Sequence, residues 1–171
     1  ETLSMTNEVR EGNGTFYKNQ ETDSLKSYIN IKLENPLKED VVYFAFLDNA
    51  TSEFEYYDGY KFLSSNSFVP FIYTLVGDDI LTIDARDYDE FIDLLTPTKI
   101  DLGIKIGMSG NLSISSFNHV NIPDSMDIMI VDNFENDTVS IKENQYNFFS
   151  NVGTFNDRLD LLFIKMKPGV G

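Results

Sequence analysis

The chain has no cysteine. That excludes disulfides, thiolate zinc sites and thiol nucleophiles. It leaves the compartment open, because a secreted bacterial protein that avoids stray pairing looks the same as a cytosolic one. Histidine occurs once, as His119, so an imidazole-based zinc site has no partner residues. Tryptophan is absent, which removes the largest ring for stacking on a sugar. Basic residues are scarce: 13 Lys and Arg stand against 28 Asp and Glu, a formal net charge of −15. Nucleic-acid binding needs a basic stripe, and an acidic surface repels phosphate backbones and anionic lipid alike. No apolar run reaches the roughly 18–20 residues a membrane helix needs. The partners expected therefore include neither nucleic acid nor an inserted membrane span. The chain opens on Glu1 without a basic-then-apolar leader, as expected of a processed or excised fragment.

What is present suits a folded core. Hydrophobic residues make up 42% of the 171 positions, with 14 Phe and 9 Tyr. A chain of this length buries roughly 70% of its unfolded surface and folds without staples. Residues 1–171 read as one module, with a sub-boundary near Pro97 as the alternative. Lys165–Gly171 looks like the start of a linker to a further C-terminal domain.

The patterning is that of strands. Ser27–Glu34 alternates, with Ile29, Ile31 and Leu33 on one side and Tyr28, Asn30, Lys32 and Glu34 on the other. Asn35-Pro36 ends it, and Asp40–Asp48 follows as a more continuously apolar strand, expected to be covered on both faces. Phe68–Val76 and Ile80–Ala85 flank a Gly77-Asp78-Asp79 hairpin turn. Arg86–Leu95 predicts a loop with at most one short helix, stopped at Thr96-Pro97. Six short apolar segments then recur from Ile100 to Met166, and Gly107–Gly110 between the first two reads as a tight hairpin turn. Gly12-Asn13-Gly14 reads as a turn near the start. The rhythm predicts an all-β fold: an antiparallel β-sandwich, jelly-roll-like or immunoglobulin-like, of about ten strands. The predicted core is Ile29, Ile31, Leu33, Val42, Phe44, Phe46, Ile72, Leu75, Leu81, Ile83, Ile104, Ile106, Ile114, Ile128, Ile130, Phe148, Leu159, Leu161 and Phe163.

Residues that carry chemistry are few, and no catalytic residue is expected. One histidine near Ser115 and Ser116 does not define a triad, and neither serine sits in a nucleophile elbow. Asp84, Asp87 and Asp89 lie beside Asp78, Asp79, Glu90 and Asp93, with Arg86 alone offsetting them. Such a run is usually a solvated face. Its functional alternative is calcium, a hard cation that takes six to eight oxygens, with Asp84, Asp87 and Asp89 as ligands. Asp48-Asn49 with Glu53, Glu55 and Asp58, and Asp132-Asn133 with Asn136 and Asp137, are two further acidic loops. Phe54, Tyr56, Tyr57 and Tyr60 crowd one loop. They suit a ligand-binding patch, although the commoner outcome is a loop that folds back and buries its rings.

Asp48–Leu63, Phe71–Ile83, Ile104–Ile114, Asp127–Asp132 and Tyr146–Phe163 together carry a resemblance. From Val42 to Gly171 the chain resembles a region of large Bacteroidetes surface proteins exported by type IX secretion, lying just before their C-terminal sorting domain. Gly169-Val170-Gly171 matches the point where that sorting domain begins; the sorting domain itself is not in this sequence. At the strand end Val131-Asp132, where the family pattern often has Glu-Asp, only the Asp remains. The resemblance implies a β-sandwich in a secreted or cell-surface protein, with neighbouring domains and the secretion machinery as partners and no cofactor beyond optional calcium. Asp23-Ser24-Leu25, Asp124-Ser125-Met126 and Asp137-Thr138-Val139 resemble the Asp-Ser/Thr-apolar sites that such bacteria O-glycosylate, which marks Ser24, Ser125 and Thr138. The function expected is a non-catalytic module that spaces or presents other domains or makes surface contacts. The alternative is a carbohydrate-binding or adhesin module using Phe54–Tyr60.

Overall fold

Alternation in the sequence becomes alternation in space. In β1 (Leu25–Glu34) Ile29, Ile31 and Leu33 are fully buried, and in β2 (Glu39–Leu47) Val42, Phe44 and Phe46 face them. The computed structural model describes residues 25–92 and 97–166. The Gly12–Gly14 turn, Ser24, Asp93 and the end of the proposed linker lie outside these residues. β1 and β2 form a hairpin at Asn35, whose side-chain oxygen takes the N–H groups of Leu37 and Lys38. The chain continues through β3 (Gly59–Tyr60), β4 (Phe71–Val76) and β5 (Asp79–Asp87) to a short helix, α1 (Tyr88–Ile92). It returns in β6 (Thr98–Ile106), β7 (Gly110–Val120), β8 (Met126–Asp132), β9 (Asp137–Ser140), β10 (Gln145–Ser150) and β11 (Gly153–Lys165).

The fold is all-β, as the pattern predicts, but the described strands form one mixed sheet in place of two packed layers. The order is β10-β7-β1-β2-β5-β4-β6-β11-β8-β9, with β3 also on β5. Neighbours are antiparallel except β2 and β5, which run parallel. The long 48–78 connection is the cause: it brings the chain back to start β5 beside the start of β2, which a two-residue hairpin cannot do.

The sheet is nearly barrel-shaped and not clearly the expected sandwich, because the chain turns a corner where a hairpin was predicted. β6 and β11 form an antiparallel ribbon from Thr98↔Phe163 to Ile106↔Gly153. β7 and β10 continue it from Gly110↔Ser150 to Ser115↔Gln145. The ribbon turns a corner at 107–109 and 151–152, so Gly107–Gly110 is a bend between strands that do not pair with each other. Gly107 is needed for close approach: a Cβ there would stand 2.6 Å from the carbonyl oxygen of Ser67. The two ends of the sheet, β9 and β10, are consecutive in the chain. The Ser116 N–H donates to the carbonyl of Ile141 between them, which draws the seam together.

One core fills the interior, and α1 covers part of it. Asp87 caps the helix by accepting the Glu90 N–H at 2.8 Å, and Phe91 stacks on Phe46 while meeting Phe163 edge-on. Two predicted core residues differ: Leu75 is half-buried and Ile83 is 38% exposed. The parallel register explains Ile83. It pairs with outward-facing Tyr43, whereas Asp84 and Arg86 pair with the buried Phe44 and Phe46. Tyr43 itself is exposed, so β2 is covered on its inner face and only partly on the other.

Candidate functional site

The segment from β2 to β3 and just beyond builds a surface of outward rings on polar anchors, one half-buried and one buried. Leaving β2, the chain turns at Asn49, whose φ of 62° suits a side chain that tolerates the left-handed region. Asp58 then ties the loop down, accepting the N–H of Ala85 at 2.7 Å and of Glu55 at 2.8 Å. Burial pushes the Asp58 carboxyl up, and those two N–H groups oppose the shift. Gly59 packs on Ile83, where an added Cβ would stand 3.2 Å from the side chain.

Lys61 is the second anchor. Its ammonium pairs with the Asp40 carboxylate and donates to the carbonyl of Val41, and its side chain is 5% exposed. The same Asp40 oxygen, Oδ2, also receives the Ile72 N–H at 2.9 Å. The Lys61 N–H donates to Ile80 at 2.9 Å, so the residue is held at both ends. Because Lys61 points in, extended backbone throws Tyr60 and Phe62 out. Tyr60 stacks on Phe54 with centroids 4.6 Å apart, and Tyr56 meets Tyr57 edge-on at 5.6 Å. Tyr56 is 93% exposed and Phe62 87%.

The expectation that this loop buries its rings fails for three of the four. Tyr57 packs on the small cluster of Leu47, Ala50 and Ala85, while Phe54, Tyr56 and Tyr60 face solvent. The structure adds Phe62 to this loop surface, and Tyr43 and Ile83 as exposed residues in register with it. The Tyr-Lys-Phe alternation at 60–62 was the available signal for Phe62. Nothing in the sequence pairs Tyr43 with Ile83, because that neighbour relation comes from the parallel crossover.

The carboxylates go elsewhere. Asp84 is 2% exposed and takes both Nε and Nη2 of Arg86, at 2.8 and 2.9 Å. Asp87 caps α1, and Asp89 is exposed on it. Among the described residues, no three His, Asp or Glu side chains come together where a cation would sit.

Asp132 enters a buried cluster at the seam. Its carboxylate receives the Arg158 guanidinium, with Nη2 at 2.8 Å, the Tyr146 hydroxyl at 3.1 Å and the N–H groups of Phe134 and Glu135. Burial works against the charge, but Arg158 and the two N–H donors outweigh it and hold the carboxyl below its usual range. Burial beside the same carboxylate pushes the Tyr146 phenol up to about 12. Arg158 lies over the Phe148 ring at 4.6 Å and donates to the carbonyl of Phe149. The cluster thus ties β8 and β11 to β10 across the seam.

His119 sits 2.9 Å from the Ser116 hydroxyl through Nε2. That hydroxyl donates to the Ile141 carbonyl at 2.6 Å, so Nε2 must be the donor in their contact. A general base would have to accept that proton, so this arrangement does not activate the serine. Burial lowers the His119 pKa. Of the marked hydroxyls, Ser125 and Thr138 are exposed.

Residues 1–163 match the model of a family described as a domain of unknown function, DUF8693. The chain belongs to that family. No curated protein and no solved structure matches it. The family match spans the aromatic loop, both of its anchors and the seam cluster.

Proposed function

We propose that the chain is a non-catalytic contact module of a secreted or outer-surface protein exported by type IX secretion, and that it holds a carbohydrate on the aromatic face built by residues 54–62. One observation carries the contact reading: Asp58 and Lys61 fix the backbone from below, so Phe54, Tyr56, Tyr60 and Phe62 are displayed on a loop already ordered for binding. Pre-organisation of this kind lowers the entropic cost of association. Flat exposed rings favour the apolar faces of sugars, and a net charge of −15 disfavours acidic polymers. Export and location rest on the resemblance of Val42–Gly171 to regions that precede sorting domains.

A glycan array followed by titration calorimetry tests the contact. Binding to neutral glycans is expected, with at least a tenfold loss in Tyr56→Ala/Phe62→Ala at unchanged melting temperature. A flat array, or hits that the double variant keeps, overturns the reading. Repeating the titration with calcium and with chelator separates a metal-assisted site from a metal-free one. Surface labelling of the full-length protein, in cells with and without a working type IX apparatus, tests export.

A further inference from the structure

Asn30 stands out on the outer face of the sheet. Alternation along β1 turns its side chain outward with Tyr28, Lys32 and Glu34, away from Ile29 and Ile31 in the core. Those three outward neighbours are half-buried, yet Asn30 is only 6% exposed. Its carboxamide offers an acceptor and two donors, and it makes no hydrogen bond to any other side chain or backbone group among the described residues. Nor is the amide sealed in: Thr74 alone among the described residues has a fully enclosed side-chain polar atom without a partner. An asparagine in mid-strand is a poor choice for the fold, and an unpaired, largely buried amide adds to the cost.

The strand register sets Asn30 between two rings. It stands opposite Phe117 of β7 on one side and Tyr43 of β2 on the other. Paired residues project from the same face, so the two rings flank the amide across two strand spacings, roughly 9–10 Å. Asn30 is shorter than either ring and lies at the floor between them. The row continues from Tyr43 to Ile83, and from Ile83 to Gly59 in β3 of the aromatic loop. None of these side chains is charged. Lys32, next outward along β1, is already paired with Glu34 at 2.8 Å and with Glu39 at 3.6 Å.

We propose that Asn30, Tyr43 and Phe117 form a further sugar-contact subsite, so that the protein takes a stretch of a neutral glycan chain and not a single terminal sugar. The inference rests on the carbohydrate reading of residues 54–62 and extends that site along the sheet. Three strand spacings, roughly 14 Å, separate Asn30 from Gly59, more than one sugar ring spans. β1 is paired on both sides, so a peptide finds no free backbone edge there to add to. Side chains alone must read the ligand. Two rings supply faces for the apolar sides of a pyranose, and the amide between them supplies a donor and an acceptor for its hydroxyls.

Titration calorimetry with neutral linear gluco- and manno-oligosaccharides of two to six units tests it. The wild type is expected to bind six units at least tenfold more tightly than two. Asn30→Leu removes the donor and acceptor at similar size, and Tyr43→Ala removes one ring. Each should weaken binding of the six-unit chain at least fivefold and leave the two-unit affinity unchanged. The melting temperature of Asn30→Leu should be equal or higher, because the amide adds no hydrogen bond to the fold. Affinity that does not rise with length, or that both variants keep, overturns the subsite and leaves the loop as the sugar site. A lowered melting temperature in Asn30→Leu also overturns it, by making the amide a structural group. No binding at any length, together with a flat neutral-glycan array, sinks the loop reading and the subsite together.

Discussion

Two ion pairs do opposite work in this molecule. Arg158 and Asp132 sit at the seam, 4% and 0% exposed, and their hydrogen bonds point inward to Tyr146 and to the backbone. Lys61 and Asp40 lie under the aromatic loop, where Lys61 points inward and the adjacent Tyr60 and Phe62 are exposed. One pair closes the sheet on itself; the other holds a surface open. A buried charge in this fold is a positional device, and what it positions depends on which side of the sheet its neighbours face.

Breaking the seam pair should have the larger effect. Arg158→Met leaves the Asp132 carboxylate buried without its guanidinium, a loss of about 3–5 kcal/mol in urea-unfolding stability. Replacing both partners, Asp132→Leu with Arg158→Met, should recover much of that loss, because no unpaired charge remains. A double variant as unstable as the single one would mean that the pair's geometry, and not its charge balance, holds the seam. Acid gives the same answer without mutation. The Asp132 carboxyl lies below its unfolded value, so its contribution is complete above the ordinary aspartate range and is lost as pH falls through the lowered folded value.

The loop anchor comes next. Lys61→Met keeps the stem but leaves Asp40 and the Val41 carbonyl short of a donor, a cost of about 1–3 kcal/mol. It should also weaken binding on the aromatic face, because Tyr60 and Phe62 lose the residue that sets their direction. Hydrogen exchange at residues 58–62 reads this directly: exchange should quicken there and stay slow in β11. Uniform quickening would show that Lys61 holds the barrel as a whole.

How far all this was legible in the sequence follows from what each feature depends on. β1 and β11 could be read because their alternation is local: Ile29, Ile31 and Leu33, and likewise Leu159, Leu161 and Phe163, are each fully buried. The barrel could not, since it depends on a corner at 107–109 and on the parallel meeting of β2 with β5, both set by distant pairing. For the same reason Asp84 reads in the sequence as part of a solvated acidic run and is instead an interior residue held by Arg86. Arg158 gave no signal at all. It falls in a polar stretch, and the register of β11 shifts between Phe155 and Leu159 around it.

His119 gives a smaller effect on the seam side. Burial lowers its folded pKa, so the unfolded chain takes up the proton first as pH falls. Its contribution is complete above the ordinary histidine range and declines as pH drops through the lowered value. His119→Gln, which can still donate to Ser116, should flatten the pH dependence of stability between roughly pH 5 and 7. An unchanged slope would assign that dependence to carboxylates instead.

The smallest expected effect on stability decides most about function. Tyr56→Ala and Phe62→Ala remove rings that touch mainly water, so each should change unfolding free energy by less than about 0.5 kcal/mol. The two variants should therefore melt with the wild type yet lose glycan binding, whereas Arg158→Met should melt early and keep its binding below its transition. If Tyr56→Ala or Phe62→Ala instead proves destabilising by more than about 1 kcal/mol, beyond what an exposed site yields, the rings serve the fold. The division between a seam that builds the barrel and a loop that serves contact would then fail.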